Sequence, residues 1–446
     1  MVAKNRNVEW FKFFIIELYM LVIPTFIFYL IGLKYPAALN FSYYFIVYLF
    51  IVQSTTSYLY SFNAFKRKRF KELPATKHVS VPKTTFIISA YLPGEIEVVE
   101  NTILNILEHV ERPKNGIELI LTYNTPQMEG IEPRLRELAY KWPELILANA
   151  YNSKGKSENL NYALELASGE MIVLFDADHL VSPDCLARAW RWLDEGYDAV
   201  QGRCKIRNGD RCMLSALIEV EFETMYGVSH YAKSKVFDSA LFGGSNGYWR
   251  SEAIKQIKFD PGKLTEDIDS TLRALLSGKR IVHDRSIISS ELAPETLGAL
   301  WFQRKRWAQG WFQCALNYQI PVWASRYFTI QQKCMWTTLL IWRIFYDIVI
   351  HFLAPIVFAF WMTRGRISVP MNGFIWFSLF FTLGSGYFET LAAYKNASLP
   401  KAPGSRYLYY ALGSFFYTFF KNTIQVVAIR EELLGKQEWV ISRRKG

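Results

Sequence analysis

Val173-Leu174-Phe175-Asp176-Ala177-Asp178-His179 closes an apolar run that begins at Met171, and it ends in two carboxylates one residue apart. A short, continuously apolar segment of this kind reads as a strand buried on both faces of a sheet. Upstream, 84–90, 117–122 and 145–150 read as further strands, with helices expected over 95–111, 133–141 and 156–167 and another after the carboxylates over 184–193. Strands alternating with helices predict an α/β domain on a mostly parallel sheet with right-handed crossovers, from Thr84 to about His283. Ligands in such sheets bind beyond the C-terminal strand ends. The residues that follow each strand are therefore the ones to inspect for chemistry.

Outside this domain the composition changes. Of the 446 residues 51% are hydrophobic, and the excess gathers at the two ends. Segments 13–33 (with Glu17 and Pro24) and 43–62 have about the length that crosses a bilayer. Two further spans are expected over 336–361 and 374–394. Segment 407–427 carries Lys421 near its middle, which is costly in hydrocarbon, so it reads as an interfacial helix. The net charge of +11 collects in runs such as Phe65-Lys66-Arg67-Lys68-Arg69 and Arg443-Arg444-Lys445, beside apolar segments. Basic runs in that position mark cytoplasmic loops and anionic headgroups, so membrane lipids are expected partners and the first two spans form a hairpin with both ends in the cytosol. No helix-turn-helix, zinc-finger or RNA-recognition pattern accompanies the charge, so nucleic acid is not an expected partner. The five cysteines are scattered without a C-x-x-C, which argues for reduced structural thiols. The expected organisation is a transmembrane hairpin (1–64), a cytosolic α/β domain (65–290), an amphipathic interface region (291–334) and C-terminal transmembrane and interfacial helices (335–446).

Three stretches carry chemistry. In Asp176-Ala177-Asp178 the first acid can contact a nucleotide or sugar, and the second can hold a hard divalent cation through oxygen. Acids are also common where strands turn into loops. In Leu264-Thr265-Glu266-Asp267-Ile268-Asp269 an acid can serve as general base, or the acids can simply favour a helix N-terminus capped by Thr265. In the helical stretch Gln303 to Trp311, residues Gln303, Arg306, Trp307, Gly310 and Trp311 fall on one face, with a cation for phosphate and rings for stacking on a sugar. Arg304 and Lys305 would then point elsewhere, toward lipid headgroups; an ordinary interfacial helix with tryptophan anchors is the alternative. Lys156 at a helix start suits a phosphate, and Phe242-Gly243-Gly244-Ser245-Asn246-Gly247 is a turn where backbone can approach a bulky ligand. His179 could assist a metal or diphosphate, or be a turn residue with no ligand role.

Taken in order, Lys156…Asn161, Asp176-x-Asp178, Thr265-Glu266-Asp267 and Gln303-Arg304-x-Arg306-Trp307, set between membrane helices, resemble family 2 glycosyltransferases of the processive membrane branch that includes cellulose, chitin and hyaluronan synthases. The resemblance covers about 84–311 and implies a GT-A type α/β domain. It implies an inverting transfer from a nucleotide-sugar, a UDP-sugar in this branch, with Mg2+ or Mn2+ as cofactor. Lys156, Asp176, Asp178, Asn124 and Arg306 would bind the nucleotide-sugar, with Asp178 and Asp176 at the metal. Asp267 would be the catalytic base, and Trp307, Gln303, Ser245 and Glu266 would face the acceptor. The product would be a polysaccharide, or a single sugar on a membrane lipid as in ceramide glucosyltransferase-like enzymes. An integral multi-pass protein of the plasma membrane, or of the Golgi or ER in a eukaryote, is implied. The chain departs from the family at Asn124, where an acid usually follows the second strand, and keeps only Trp439-Val440-Ile441-Ser442-Arg443 of the synthases' gating loop.

Overall fold

The computed structural model of the chain describes residues 7–65, 80–124 and 132–436. The basic run 66–69 and the 439–443 segment lie outside the described residues. Two long helices come first, α1 (Asn7–Lys34) and α2 (Pro36–Phe65). The α/β domain then runs β1 (Thr84–Ala90), α3 (Leu92–His109), β2 (Ile117–Tyr123), α4 (Glu132–Lys141), β3 (Leu145–Asn149), α5 (Lys156–Leu166), β4 (Met171–Asp176), β5 (Leu180–Val181) and α6 (Cys185–Asp194). It continues through β6 (Ala199–Ile206), α7 (Met213–Thr224), α8 (Tyr231–Phe237), β7 (Gly247–Arg250), α9 (Ser251–Ile257), α10 (Glu266–Leu276) and β8 (Ile281–Glu291). Helix α11 (Leu297–Ala324) leads to α12 (Ile330–Thr337), α13 (Arg343–Val349) and α14 (Leu353–Met362), joined by a π-helical turn and a 3-10 turn into one irregular rod. Helices α15 (Gly373–Lys395) and α16 (Gly404–Leu433) follow.

The eight strands form one sheet in the order β3-β2-β1-β4-β7-β6-β8-β5. It is mostly parallel, with β3, β2, β1, β4, β6 and β8 running one way, but β7 runs against both β4 and β6 and β5 runs against β8. The reason lies in the 243–246 turn. Gly247 pairs with Leu174 at the end of β4, so β7 starts where its neighbour finishes and must run back along it. Both faces are covered, as the unbroken apolar reading of 171–175 requires. On β4, Met171, Val173 and Phe175 join one core cluster, while Ile172 and Leu174 join the other.

Among the described residues three helical segments are long and apolar enough to cross a membrane: Phe13–Lys34, Pro36–Phe65 and Ile330–Met362. The first leaves Phe14, Leu18, Phe26 and Leu30 exposed, a surface suited to lipid. The expected fourth span, α15, packs along α2 through ring contacts of Phe381 and Phe388 with Tyr58. Lys421 of α16 is not left in an apolar setting: its ammonium bonds Glu221 of α7 at 2.7 Å. Arg304 corrects the sequence expectation in the same place. Its guanidinium is buried against Glu221 at 2.6 Å, and Lys305 is buried against Glu431 at 2.9 Å, so neither faces headgroups. Helical periodicity places these two residues away from Gln303 but cannot say that α7 and α16 pack on that side.

Candidate active site

Alternation along β4 determines what Asp176 meets. It follows Ile172 and Leu174 onto the face covered by α5, α9, α10 and α11, whose Leu160, Ile254, Leu272 and Cys314 fill that core. Lys156 opens α5 and Glu266 opens α10 on the same side. The Lys156 ammonium stands 2.6 Å from Asp176 Oδ1 and 3.2 Å from Glu266 Oε1, and donates to the Gly244 carbonyl at 3.0 Å. Burial alone would lower the Lys156 pKa, but Asp176, Glu266 and, beyond them, Asp267 hold it above its usual value. A permanent cation thus sits among three carboxylates at the C-terminal strand ends.

The 243–246 turn closes the site from above. Gly244 has φ +84°, and a Cβ there would stand 2.9 Å from Asp267 Oδ2, so only glycine lets this carboxylate lie against the turn. Ser245 is buried, and its Oγ accepts from the Asp176 amide at 3.1 Å. Gln201 of β6 holds the turn from below: its amide donates to the Ser245 carbonyl at 3.0 Å and its Oε1 accepts from the Gly243 amide at 2.8 Å. Sequence reading passed over Gln201. A buried amide in the otherwise apolar start of a central strand was the available signal.

Asp267 carries the most telling electrostatics. Burial, followed by the adjacent Glu266, pushes its pKa up to about 7, against the pull of Lys156, the Ile268 amide and Arg306. A carboxylate tuned near neutrality is suited to taking a proton. The helix-cap reading of Thr265 does not hold, because its side chain makes no capping bond; its hydroxyl lies 3.9 Å from Cys314 Sγ of α11. Helix α11 grips this segment closely. Arg306 donates to the Leu264 carbonyl at 3.0 Å, the Leu264 amide donates to Gln313 Oε1 at 3.3 Å, and Gly310 is where Thr265 packs, leaving no room for a Cβ.

The expected single face of α11 therefore divides. Arg306 and Gly310 address the Asp267 segment, while Trp307 packs beside Leu300 and Tyr417 with the Arg304 guanidinium 4.3 Å over its ring. Trp311 turns to the other core, with Arg343 of α13 5.7 Å from its ring. Gln303 stays half-buried on α11. Asn124 stands at the end of β2, donating to the Ser153 carbonyl at 3.0 Å and accepting from Asn159 at 3.1 Å. Its amide lies on the loop that precedes Lys156.

Asp178 is buried, and its Oδ2 accepts from the Leu292 amide at 3.0 Å. His179 is buried too, with Nδ1 2.9 Å from Ser289 Oγ, in keeping with a turn residue. The donor chemistry fits Mg2+ or Mn2+: hard carboxylate oxygens at a strand end, one acid half-exposed. Among the described residues no three His, Cys, Asp or Glu side chains converge as a complete metal site. A cation at Asp178 and Asp176 would complete its shell with phosphate and water oxygens, as such ions do beside nucleotides.

A mixed α/β sheet with this turn and these carboxylates beyond β4 defines a GT-A type glycosyltransferase domain. The backbone agrees with the solved mannosyltransferase PcManGT from Pyrobaculum calidifontis, in complex with GDP-Man and Mn2+, over 89% of this chain and all of that one, at TM-score 0.52 and 19% identity. The chain belongs to the family 2 glycosyltransferases: the family model described as glycosyl transferase family 2 matches residues 85–230, and that described as glycosyl transferase family group 2 matches 171–388. Among curated proteins it is 26% identical to the probable glycosyltransferase YdaM of Bacillus subtilis over 315 residues, 69% of each chain. It is 28% identical to the poly-beta-1,6-N-acetyl-D-glucosamine synthase of Staphylococcus aureus over 240 residues, 52% of this chain and 55% of that one. The match thus spans about half of the synthase.

Proposed function

We propose that this chain is a membrane-bound inverting glycosyltransferase that extends a polysaccharide from a UDP-sugar. The observation that carries the reading is the junction at Lys156, where one ammonium joins the strand bearing Asp176 to the helix bearing Glu266 and Asp267. The donor's diphosphate would lie over Lys156, beyond the ends of β1 and β4, with its nucleoside toward Asn124. Mg2+ or Mn2+ held by Asp178 and Asp176 would neutralise charge on the diphosphate leaving group. Asp267 would accept the proton of an acceptor hydroxyl as that oxygen attacks the anomeric carbon. The bond to the diphosphate then breaks on the opposite face, so the configuration inverts. Arg306, held against the same segment, adds positive potential near the departing phosphates, the kind of electrostatic term that dominates many such sites. Gln303, Trp307, Ser245 and Glu266 are proposed to bound the acceptor side.

The domain arrangement proposed is α1 and α2 in the bilayer, the α/β domain on the cytosolic side, α11 at the interface, and the remaining helices in or on the membrane. A synthase among the curated relatives favours polymer over single transfer. The test is a panel of nucleotide-sugars given to protein purified in detergent, with products sized by mass spectrometry. A ladder of repeating hexose or hexosamine increments is expected. One sugar on a lipid would overturn the polymer reading, and no turnover of any nucleotide-sugar would overturn the whole.

A further inference from the structure

A large cavity lies far from the α/β domain. Helix α2 meets that domain at its C-terminal end, where Lys235 donates to the Asn63 carbonyl at 3.0 Å. Its 30 residues place the opposite end about 45 Å away. There the α1–α2 turn meets the 363–372 loop between α14 and α15. The cavity between them measures about 1020 Å³ and is lined by Tyr29, Leu33, Phe360, Trp361, Arg364 and Arg366, among others.

Charge at this end is one-sided. The two connections, with the last residue of α1, contain Lys34, Arg364 and Arg366 and no acid. Among the described residues neither arginine forms an ion pair. The loop that presents them is folded: Ile367 and Val369 pack on the α2–α14 core, the Ile367 amide donates to Thr363 Oγ1 at 3.3 Å, and Asn372 donates to the Tyr44 hydroxyl at 2.7 Å. Arg364 holds φ +53°, a left-handed conformation that non-glycine residues rarely adopt. Cations are also disfavoured on the membrane side opposite the cytosol. Exposed arginines on a folded loop, without an ion pair among the described residues and beside Tyr29 and Trp361, residue types that settle at headgroup depth, make a site for an anion carried at the membrane surface.

We propose that this cavity binds the phosphate of an anionic phospholipid in the leaflet remote from the catalytic domain, with Arg364 and Arg366 on the headgroup and Tyr29, Leu33 and Phe360 along the upper acyl chains. The occupant is a lipid rather than a free anion because the wall opposite the arginines is apolar. None of these residues belongs to the donor site, so the inference stands or falls apart from the proposed reaction.

The test is native mass spectrometry of the full chain after exchange into mixed micelles of phosphatidylglycerol and phosphatidylcholine. Wild type should retain phosphatidylglycerol in preference. An arginine at an anionic surface is worth roughly fivefold in affinity, so the double variant R364Q/R366Q should lose about 25-fold in that retention. R364K/R366K, which keeps the charge, should recover most of it. Equal retention by wild type and R364Q/R366Q would overturn the proposal. So would displacement of the lipid by glycerol 3-phosphate at equal concentration, which would make the ligand a soluble phosphate. Nucleotide-sugar turnover unchanged in R364Q/R366Q would confirm that the variant is folded and the two sites are separate.

Discussion

Lys156 stands 2.6 Å from Asp176 and 3.2 Å from Glu266, so one ammonium ties the end of a central strand to the start of the helix that carries Asp267. Replacing it with methionine keeps the stem and removes the charge. A hydrogen bond to a charged group is worth roughly 1.5–3 kcal/mol, so Lys156→Met should weaken nucleotide-sugar binding about 10- to 100-fold by calorimetry. It should also raise the Asp267 pKa beyond about 7, because Lys156 is one of the groups pulling it down. An unchanged affinity would remove Lys156 from the donor site.

The metal assignment has its own readout. Nucleotide release from the donor should stop in EDTA and return with Mg2+ or Mn2+, since two carboxylates and a diphosphate repel without a cation among them. Full turnover in chelator would refute the roles given to Asp176 and Asp178.

Gly244 tests whether the turn must lie on the base. Gly244→Ala places a Cβ 2.9 Å from Asp267 Oδ2 at φ +84°. Gly196→Ala carries comparable left-handed strain at φ +95° but meets nothing within 4 Å. Both should lose roughly 1–2 kcal/mol of stability. Only Gly244→Ala should lower kcat, by tenfold or more. Equal activity of the two variants would show that the contact has no catalytic consequence.

Much of this site was legible in the sequence because its chemistry is local. Asp176 and Asp178 follow a strand whose apolar run is unmistakable, and Lys156 and Asp267 sit at helix starts where charged ligands are expected. What stayed hidden depends on which distant elements pack together. The period of α11 puts Gln303, Arg306 and Trp307 on one face, yet neighbours from α7 and α16 draw Trp307 under Arg304. Gln201 and Gln313 act on backbone atoms about 40 to 50 residues away, and no spacing rule reports such pairs. The reversal of β7 follows from where the 243–246 turn has to sit, which is a property of the site rather than of the strand.

The Glu221 junction predicts stability rather than rate. Its carboxylate meets Arg304 at 2.6 Å, the Tyr417 hydroxyl at 2.7 Å and Lys421 at 2.7 Å. Burial alone would raise its pKa, but Arg304 and Lys421 bring it down to about 2. Glu221→Leu leaves two cations without their shared partner, a loss of about 3–5 kcal/mol for a buried pair. Thermal unfolding in detergent should show a large drop, partly recovered by adding Lys421→Leu. A midpoint unchanged in Glu221→Leu would mean that the other contacts of α16, among them Arg406 with Glu219 and Glu431 with Lys305, hold it in place without this junction.

Asp267 joins rate and stability through one ionisation. As a base it works only as the carboxylate, so kcat/KM for the donor should rise about tenfold per pH unit below 7 and level off above it. Asp267→Asn removes the base, and turnover should fall about 10²–10⁴-fold while nucleotide affinity stays near that of wild type. The stability argument has the opposite sign. An unfolded aspartate ionises near pH 3.9, roughly, while the folded one holds its proton to about 7. The unfolded state therefore binds fewer protons across that window, and wild-type stability declines as pH rises from about 4 to 7. Asp267→Asn has no such ionisation, so its unfolding midpoint should exceed that of wild type at pH 8 and the gap should close toward pH 4. A carboxylate held ionised against its surroundings at a candidate active site is the kind of place where activity is kept at the expense of stability. If the two proteins unfold alike at every pH, the Asp267 carboxyl ionises normally, and a base with a pKa near neutrality must be sought elsewhere.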